Sequence, residues 1–303
     1  KFFPKIENFA KKNKIKIIRV EDGFIRSVSL GSDLTRPFSL VFDDLGIYYN
    51  PSKESRIERI LNNHTFDNYI ISEAEILINQ IIKSRISKYN IGEKINFELP
   101  KSSYEKIILV VGQVDDDASI KLGGFRMNNA KLLEEVKKRN PNSYIIYKSH
   151  PDVNCGNRKG HLSYEFLDKF CNLSLKNENI SSLISLVDEV HTITSLVGFE
   201  ALLQNKKVVT YGLPFYAGWG LTEDIISCPR RNRKISLLEL VAGVLILYPR
   251  YIDPIDLNYC TPHLLVSRIK DQNYLLERNS NLKVFFKVRN FFIRLIQKIF
   301  IKN

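Results

Sequence analysis

Residues Ser143–Val153 have the sequence SYIIYKSHPDV, an apolar strand that ends in lysine, histidine and proline. A second stretch, Glu189–Leu203 (EVHTITSLVGFEALL), is a short apolar strand followed by two hydroxyl residues that open a helix. In an open α/β sheet, ligands bind outside the carboxyl ends of the strands. The two stretches therefore predict a parallel α/β sheet with a site for a phosphorylated ligand at its carboxyl edge.

Strand and helix patterns alternate through the second half of the chain, which predicts a sheet covered on both faces. Strands are expected at Lys106–Gly112, Tyr144–Tyr147, Val190–Ile193 and Lys207–Tyr211, and helices at Asn128–Arg139, Ser181–Leu186 and Ser195–Leu203. In the first half, the patterns predict a buried strand at Lys14–Val20, a hairpin of Ser39–Phe42 with Ile47–Tyr49, and helices at Glu54–Asn63 and Asp67–Ser84. The polar segment Tyr89–Ser103 marks a domain boundary.

Composition narrows the class of protein. The 303 residues allow two domains, and the net charge of +12 favours anionic partners. The four cysteines share no CxxC spacing, which indicates free thiols rather than a zinc site. Neither a dinucleotide nor a P-loop fingerprint occurs, and no nucleic-acid-binding module is recognisable. The chain begins at Lys1 and its first half begins abruptly, so we expect a longer protein with a further strand and helix upstream.

The tail, Asn281–Asn303, has a basic helical face of Lys283, Lys287, Arg294 and Lys298 opposite an apolar face. This pattern is typical of a helix in an anionic membrane interface. It is equally typical of an amphipathic helix packed on the protein's own core, and both interpretations stay open.

Several polar residues are candidates for chemistry, each with a plainer alternative. Glu21 and Asp22, before Gly23, could act as a general acid or base. The plainer alternative is a solvated turn. The successive aspartates of Gln113–Ser119 (QVDDDAS) repel one another, and a metal or an electrophilic carbon would relieve that repulsion. The plainer alternative is a helix N-cap, where aspartate is favoured. Pro214–Thr222 suits stacking on a sugar or base, or a packed loop.

Basic and hydroxyl residues near the two strand ends suit the binding of an anionic ligand. His150 lies beside Lys148, with Arg158 and Lys159 shortly after, which favours an anion pocket over a structural histidine. Thr194 and Ser195 open the helix that contains Gly198 and Glu200. Hydroxyls and N–H groups at a helix start bind phosphate, although an ordinary N-cap looks the same.

Together these residues resemble the capsule polysaccharide proteins that transfer β-linked Kdo. The resemblance covers almost the whole chain through EDGFIRS (Glu21–Ser27), SLVFDDLGIYYN (Ser39–Asn50), GQVDDDASI (Gly112–Ile120), YKSHPDV (Tyr147–Val153), TSLVGFEALL (Thr194–Leu203), YGLPFYAGWGLTED (Tyr211–Asp224) and YPRYIDP (Tyr248–Pro254). Full-length members carry two tandem modules, and this chain is more similar to the second, C-terminal one.

The resemblance implies a GT-B fold, with two Rossmann-like domains facing a central cleft. Residues 1–103 would form the acceptor-side domain, without its first strand and with C-terminal helices packed back on it. Residues 104–262 would bind the donor, and 263–303 would form C-terminal helices and the basic tail. The implied reaction transfers Kdo from CMP-Kdo, with retention, to a lysophosphatidylglycerol-linked Kdo acceptor in capsule linker synthesis.

The implied enzyme needs no metal or cofactor. It would be peripheral on the cytoplasmic face of the inner membrane, beside other capsule assembly proteins and without nucleic acid. Two alternatives stay open: a related CMP-sialic acid transferase, and a non-catalytic module that binds glycan or lipid.

The resemblance also implies roles for individual residues. Asp117 would be the nucleophile and Glu21 the base that deprotonates the acceptor. The CMP-binding set would be Gln113, His150, Pro151, Thr194, Ser195, Gly198 and Glu200. Apart from the resemblance, we infer that the candidates for binding the sugar and its carboxylate are Arg26, Lys148, Arg158 and Lys159. The family has a proline before the histidine of its His-Pro motif, where this chain has Ser149.

Overall fold

The computed structural model describes residues 3–27, 36–84, 86, 95, 97–100, 103–154, 158–278 and 288–289. The strands are β1 (Arg19–Asp22), β2 (Ser39–Asp43), β3 (Ile107–Val111), β4 (Tyr144–Lys148), β5 (Leu173–Leu175), β6 (Glu189–Thr192), β7 (Lys207–Thr210), β8 (Glu223–Asp224), β9 (Pro249–Ile252) and β10 (Tyr259–Cys260). The helices are α1 (Phe3–Lys12), α2 (Arg56–Asn63), α3 (Asn68–Lys83), α4 (Ala118–Gly123), α5 (Asn129–Arg139), α6 (Pro151–Asn154), α7 (Tyr164–Phe170), α8 (Ile180–Leu186), α9 (Leu196–Leu203), α10 (Leu237–Val241) and α11 (Pro262–Arg278). A π-helix, Ala242–Leu247, follows α10 directly.

The larger sheet is parallel and has the strand order β5-β4-β3-β6-β7-β8. Its central strand β3 has the sequence IILVV, and every residue in it is buried. A continuous apolar run of this kind is expected where helices cover both faces of a parallel sheet. The predicted α/β class is confirmed, and the predicted strands and helices of this half agree with the structure to within one residue at each end.

The smaller sheet has the order β1-β2-β9-β10, and all its described pairings are antiparallel. Residues 1–103 contribute β1 and β2 to it. β9 and β10, which lie within the range 104–262 predicted for the donor domain, complete this sheet. α11 packs against α3 and β9. A strand pattern indicates that a strand exists and leaves its partner undetermined.

Two local predictions in the first half are also wrong. β1 begins at Arg19 rather than Lys14, and Val20 is 51% exposed, so the strand is not buried as expected. Ile47–Tyr49 is not a strand. Instead, the buried carboxylate of Asp43 accepts hydrogen bonds from the N–H groups of Leu45 and Gly46 at 3.0 and 2.9 Å. These bonds turn the chain toward α2 at the point where a hairpin was predicted.

The two halves share one hydrophobic core. Phe24, next to β1, has its ring 4.5 Å from that of Phe215 and 6.4 Å from that of Phe199 in the second half. A buried ion pair reinforces the contact, because Glu58 of α2 binds Arg231 Nε at 3.2 Å. The sheets are therefore held as one packed unit.

Most of the tail and most of the Tyr89–Ser103 linker lie outside the described residues, so the predictions made for them stay predictions. Within the residues that the structure describes, no helix combines the length and apolarity needed to cross a membrane.

Candidate active site

The carboxyl ends of β3, β4 and β6 are neighbours in the parallel sheet. The segments that follow them contain Asp117, His150 and Thr194 respectively. Side chains more than 30 residues apart in sequence therefore meet at one edge, as the opening sequence pattern predicts.

Each aspartate of the QVDDDAS segment has a different partner. Asp115 accepts the backbone N–H of Asn129 at 3.4 Å, and Asp116 accepts from the guanidinium of Arg158. Asp117 is the N-cap of α4. Separate partners relieve the repulsion expected of three adjacent carboxylates. In the described part of the chain, no three His, Cys, Asp or Glu side chains cluster as a metal site would require.

Asp117 has the capping role that the sequence left open. Its Oδ1 accepts from the backbone N–H of Ser119 at 2.9 Å and from the Ser119 hydroxyl at 2.7 Å, so the N-cap interpretation is confirmed. Both of these hydrogen bonds end on Oδ1. The carboxylate is thereby fixed in orientation, with its second oxygen as the candidate nucleophile.

His150 is held in one tautomer. The backbone N–H of Asp152 donates to its Nδ1 at 3.1 Å, so the neutral ring carries its proton on Nε2. Burial lowers the pKa of the imidazole, against the opposing charges of Asp152 and Asp117. The ring is therefore a neutral donor near pH 7. Pro151 fills the first position of α6, where its missing N–H costs no helical hydrogen bond.

Gln113 supports the β6–α9 turn. Its Oε1 accepts the backbone N–H of Thr194 at 2.9 Å, and its Nε2 donates to the Thr194 hydroxyl at 3.1 Å. Gln113 was predicted to bind CMP, whereas the structure directs its amide to Thr194. The hydroxyl hydrogen of Thr194 stays available to a ligand, because the hydroxyl accepts from Gln113.

Ser195 caps α9 by accepting the N–H of Val197 at 3.2 Å. Tyr216 lies beneath this turn and donates its hydroxyl to the Ser195 carbonyl. A Cβ on Gly198 would lie 2.2 Å from Tyr216 Oη, so glycine is required there by packing. Glu200 lies further along α9, with Ile81 and other residues around a small cavity next to α3. Of the predicted CMP-binding residues on α9, the structure thus places Ser195 at the carboxyl edge and gives Gly198 and Glu200 other surroundings.

The predicted sugar-binding cations are not equivalent. Lys148 is buried, and its Nζ donates to the carbonyl of Lys176 at 2.7 Å. Burial lowers the pKa of this amine to about 8. Arg26 is buried in an ion pair with Asp22. Arg158 and Lys159 are exposed, and they contact the aspartate segment through the Arg158 guanidinium and the Lys159 carbonyl.

Glu21 belongs to β1 of the other sheet, and its Oε1 accepts the N–H of Asp22 at 3.2 Å. Burial raises the pKa of the Tyr49 phenol, and the negative charges of Glu21 and Asp117 raise it further. Both carboxylates therefore lie near one phenol, which brings the predicted base and nucleophile to the same region. Gly23 allows β1 to approach β2, since a Cβ would lie 2.3 Å from Ser39 Oγ.

Sequence analysis missed Asn129 and Tyr49. The buried Asn129 accepts the N–H of Gln113 at 2.9 Å and donates to its carbonyl at 2.7 Å. Asn129 was predicted only as part of the helix Asn128–Arg139, and Tyr49 only as part of the strand Ile47–Tyr49. For Trp219 the packed-loop alternative is confirmed, because the indole is fully buried and donates to the Phe215 carbonyl at 2.8 Å.

Comparison with known proteins gives consistent matches. A family model described as capsule polysaccharide biosynthesis protein matches residues 3–93 and 53–251. The chain is 50% identical over 250 residues to capsule polysaccharide modification protein LipA of Neisseria meningitidis serogroup B, covering 82% of this chain and 35% of LipA. It is 43% identical over 248 residues to lipopolysaccharide-processing protein LpsZ of Rhizobium meliloti, covering 81% of this chain and 56% of LpsZ. The chain thus spans a third to just over half the length of these relatives.

Two solved structures are also similar. One is described as Thermosulfurimonas dismutans KpsC, beta Kdo 2,4 transferase, with a TM-score of 0.79, 32% identity, and coverage of 88% of this chain and 83% of that chain. The other is KpsC, beta Kdo 2,7 transferase, from the same organism, with a TM-score of 0.75, 40% identity, and coverage of 89% and 83%. These likenesses agree with the predicted GT-B fold.

Proposed function

The chain belongs to the capsule polysaccharide biosynthesis family, and we propose that it is a retaining β-Kdo glycosyltransferase using CMP-Kdo. One observation carries this proposal: Asp117, the neutral donor His150 and the start of α9 meet at one sheet edge, with Glu21 nearby on the other sheet. The two KpsC structures support the proposal, because both are described as β-Kdo transferases.

The leaving group would be held by His150 and the β6–α9 turn. Breaking the bond between the anomeric carbon and the phosphate leaves negative charge on the phosphate oxygens. His150 Nε2–H, the Thr194 hydroxyl and the N–H groups at the start of α9 are donors that suit such charge. None of these groups has to change its protonation state during the step.

Asp117 would then form the covalent intermediate. Its Oδ2 attacks the anomeric carbon while the bond between that carbon and the phosphate oxygen of CMP breaks, and CMP departs with the electron pair. In the second step, the acceptor hydroxyl attacks the same carbon, Glu21 takes the hydroxyl proton, and the bond to Asp117 breaks. Two inversions give net retention.

A donor comparison tests this function. The protein is incubated with a Kdo-bearing lipid acceptor and either CMP-Kdo or CMP-sialic acid, and CMP release is measured. We expect release from CMP-Kdo and at least about 100-fold less from CMP-sialic acid. The opposite preference would indicate the related sialyltransferase, and no release from either donor would indicate a non-catalytic glycan- or lipid-binding module.

The two KpsC transferases are described as forming 2,4 and 2,7 linkages, and we propose that this chain forms the 2→7 linkage. The TM-score is slightly higher for the 2,4 transferase, at 0.79 against 0.75, but identity is higher for the 2,7 transferase, at 40% against 32%. Identity is the better guide, since side chains rather than backbone position the acceptor hydroxyl. NMR of the product decides between the linkages.

A lysophosphatidylglycerol-linked acceptor would bring the enzyme to the cytoplasmic face of the inner membrane. Other capsule assembly proteins would be its neighbours there. The mechanism proposed here uses no metal or cofactor, because His150 and the helix N-terminus act on the leaving phosphate. Addition of a chelator is expected to leave turnover unchanged.

A further inference from the structure

Arg158 is bound to a carboxylate beside the proposed nucleophile. Its Nε and Nη2 donate to Asp116 Oδ1 at 3.2 and 3.0 Å. Both side chains are 41% exposed. The pair is therefore accessible to solvent and can open without unfolding any part of the sheet.

The backbone beneath this pair is fixed, although the side chains are exposed. The N–H of Asp115 donates to the Lys159 carbonyl at 3.0 Å. The Asn129 amide donates to the carbonyls of Gln113 and Gly160 at 2.7 and 3.0 Å. Three hydrogen bonds thus align the aspartate segment with the segment that contains Arg158.

The chemistry of the proposed donor places a second carboxylate at this point. Kdo is a 2-keto sugar acid, so its carboxylate is attached to the anomeric carbon itself. For attack, an Asp117 oxygen must come within about 3–3.5 Å of that carbon. The donor carboxylate then lies beside the Asp117 carboxylate, and two like charges at this distance require a cation.

Arg158 is the better-placed of the two cations near His150. Lys148 and Arg158 both contribute positive charge at the imidazole. Lys148 is buried and donates to the carbonyls of Lys176 and Ser149, at 2.7 and 3.4 Å. Arg158 is held only by an exposed ion pair among the described contacts, so it can exchange one carboxylate for another.

We propose that Arg158 is a specificity-determining residue that binds the donor's carboxylate, and that Asp116 occupies Arg158 in the free enzyme and yields it when the donor binds. This proposal rests on the function proposed above. A sugar nucleotide without a carboxylate next to its anomeric carbon does not replace Asp116, and Arg158 stays paired. Arg158 thus makes binding selective for 2-keto sugar acids, and Asp116 weakens that binding because it competes for the same guanidinium.

Equilibrium binding provides the test. Calorimetry measures the Kd of CMP-Kdo and of CMP, in an Asp117→Asn background so that donor is not consumed. The variants are Asp116→Asn, Arg158→Gln and the two together. Asp152→Asn is the matched control, because it removes another negative charge near His150.

We expect Asp116→Asn to tighten CMP-Kdo binding by about 1.5- to 5-fold, the range of an exposed ion pair, and to leave CMP binding unchanged. Arg158→Gln should weaken CMP-Kdo binding by at least about 10-fold. In the Arg158→Gln background, Asp116→Asn should have no further effect. Asp152→Asn should shift both ligands alike.

Equal shifts for CMP and CMP-Kdo in Asp116→Asn would overturn the proposal, as would a shift that persists without Arg158. Turnover by the wild-type enzyme is measured separately. If the wild type releases CMP but Asp116→Asn binds CMP-Kdo with unchanged affinity, the inference is refuted and the proposed function is not. Absence of both turnover and CMP-Kdo binding refutes the proposed function as well.

Discussion

Substitution of Asp117 separates its structural role from its chemical role. Oδ1 caps α4 through two hydrogen bonds from Ser119. Asparagine retains an oxygen at this position and is as good an N-cap as aspartate, whereas alanine removes the acceptor. We therefore expect Asp117→Asn to be as stable as the wild type, and Asp117→Ala to lose about 1 kcal/mol, or roughly 2 °C in Tm.

Activity should follow a different pattern from stability. Neither variant has a carboxylate that can form a glycosyl ester, so both should lose at least about 10⁴-fold in kcat, a scale typical of removing a covalent nucleophile. The assay is CMP release with saturating CMP-Kdo and acceptor. Mass spectrometry of the denatured wild type, after incubation with donor alone, should find one Kdo on the peptide that contains Asp117.

Asp67 provides the matched control, because it caps α3 by accepting the N–H of Ile70 at 2.8 Å and lies outside the site. Asp67→Ala should lose similar stability and keep full turnover. Turnover by Asp117→Asn within 10-fold of the wild type would refute the nucleophile assignment. A loss of stability in Asp117→Asn equal to that in Asp117→Ala would refute the capping account.

Three further predictions concern the framework around the site. Glu58→Gln should lower the free energy of unfolding in urea by about 3–5 kcal/mol, because it leaves the guanidinium of Arg231, 3% exposed, without its buried carboxylate. Gly198→Ala should cost about 1–3 kcal/mol in thermal unfolding, since its Cβ meets Tyr216 Oη, and less in a Tyr216→Phe background. A hydrogen bond from His191 and a nearby lysine, Lys106, hold the pKa of Glu189 at about 2. The ionised carboxylate therefore stabilises the folded protein above pH 4.5, and this stabilisation is lost as the pH falls toward 2. Urea unfolding of Glu189→Gln across this range should show a flatter pH dependence, and an unchanged slope would contradict the assignment.

Much of the parallel half could be predicted from local patterns. β3 and β4 are apolar runs between polar residues, and their burial follows directly from composition. The meeting of His150 and Thr194 followed from one rule, that carboxyl ends of parallel strands share an edge. The roles of Asp117 and Glu21 required resemblance to a family, because a capping aspartate and a nucleophilic aspartate look alike in sequence.

The remaining features depend on contacts between distant residues. Asp43 accepts from Tyr248 Oη at 2.8 Å, and no local pattern shows that a tyrosine 205 positions away lies next to it. The antiparallel order of the first sheet depends on the same kind of pairing. Lys148 was predicted to bind the sugar carboxylate because it is a cation beside His150, and the direction of its side chain depends on the Lys176 carbonyl at a neighbouring strand end.

The pairing of β2 with β9 also imposes an order on folding during synthesis. Asp43 and Tyr248 are 205 residues apart, so a ribosome that adds about 5–20 residues per second takes roughly 10–40 s to supply the second after the first. Throughout that interval one edge of β2 has unpaired N–H and C=O groups, and Val41, fully buried in the finished protein, lacks its partners. The nascent chain therefore carries one unpaired strand edge until the segment that contains β9 has been synthesised.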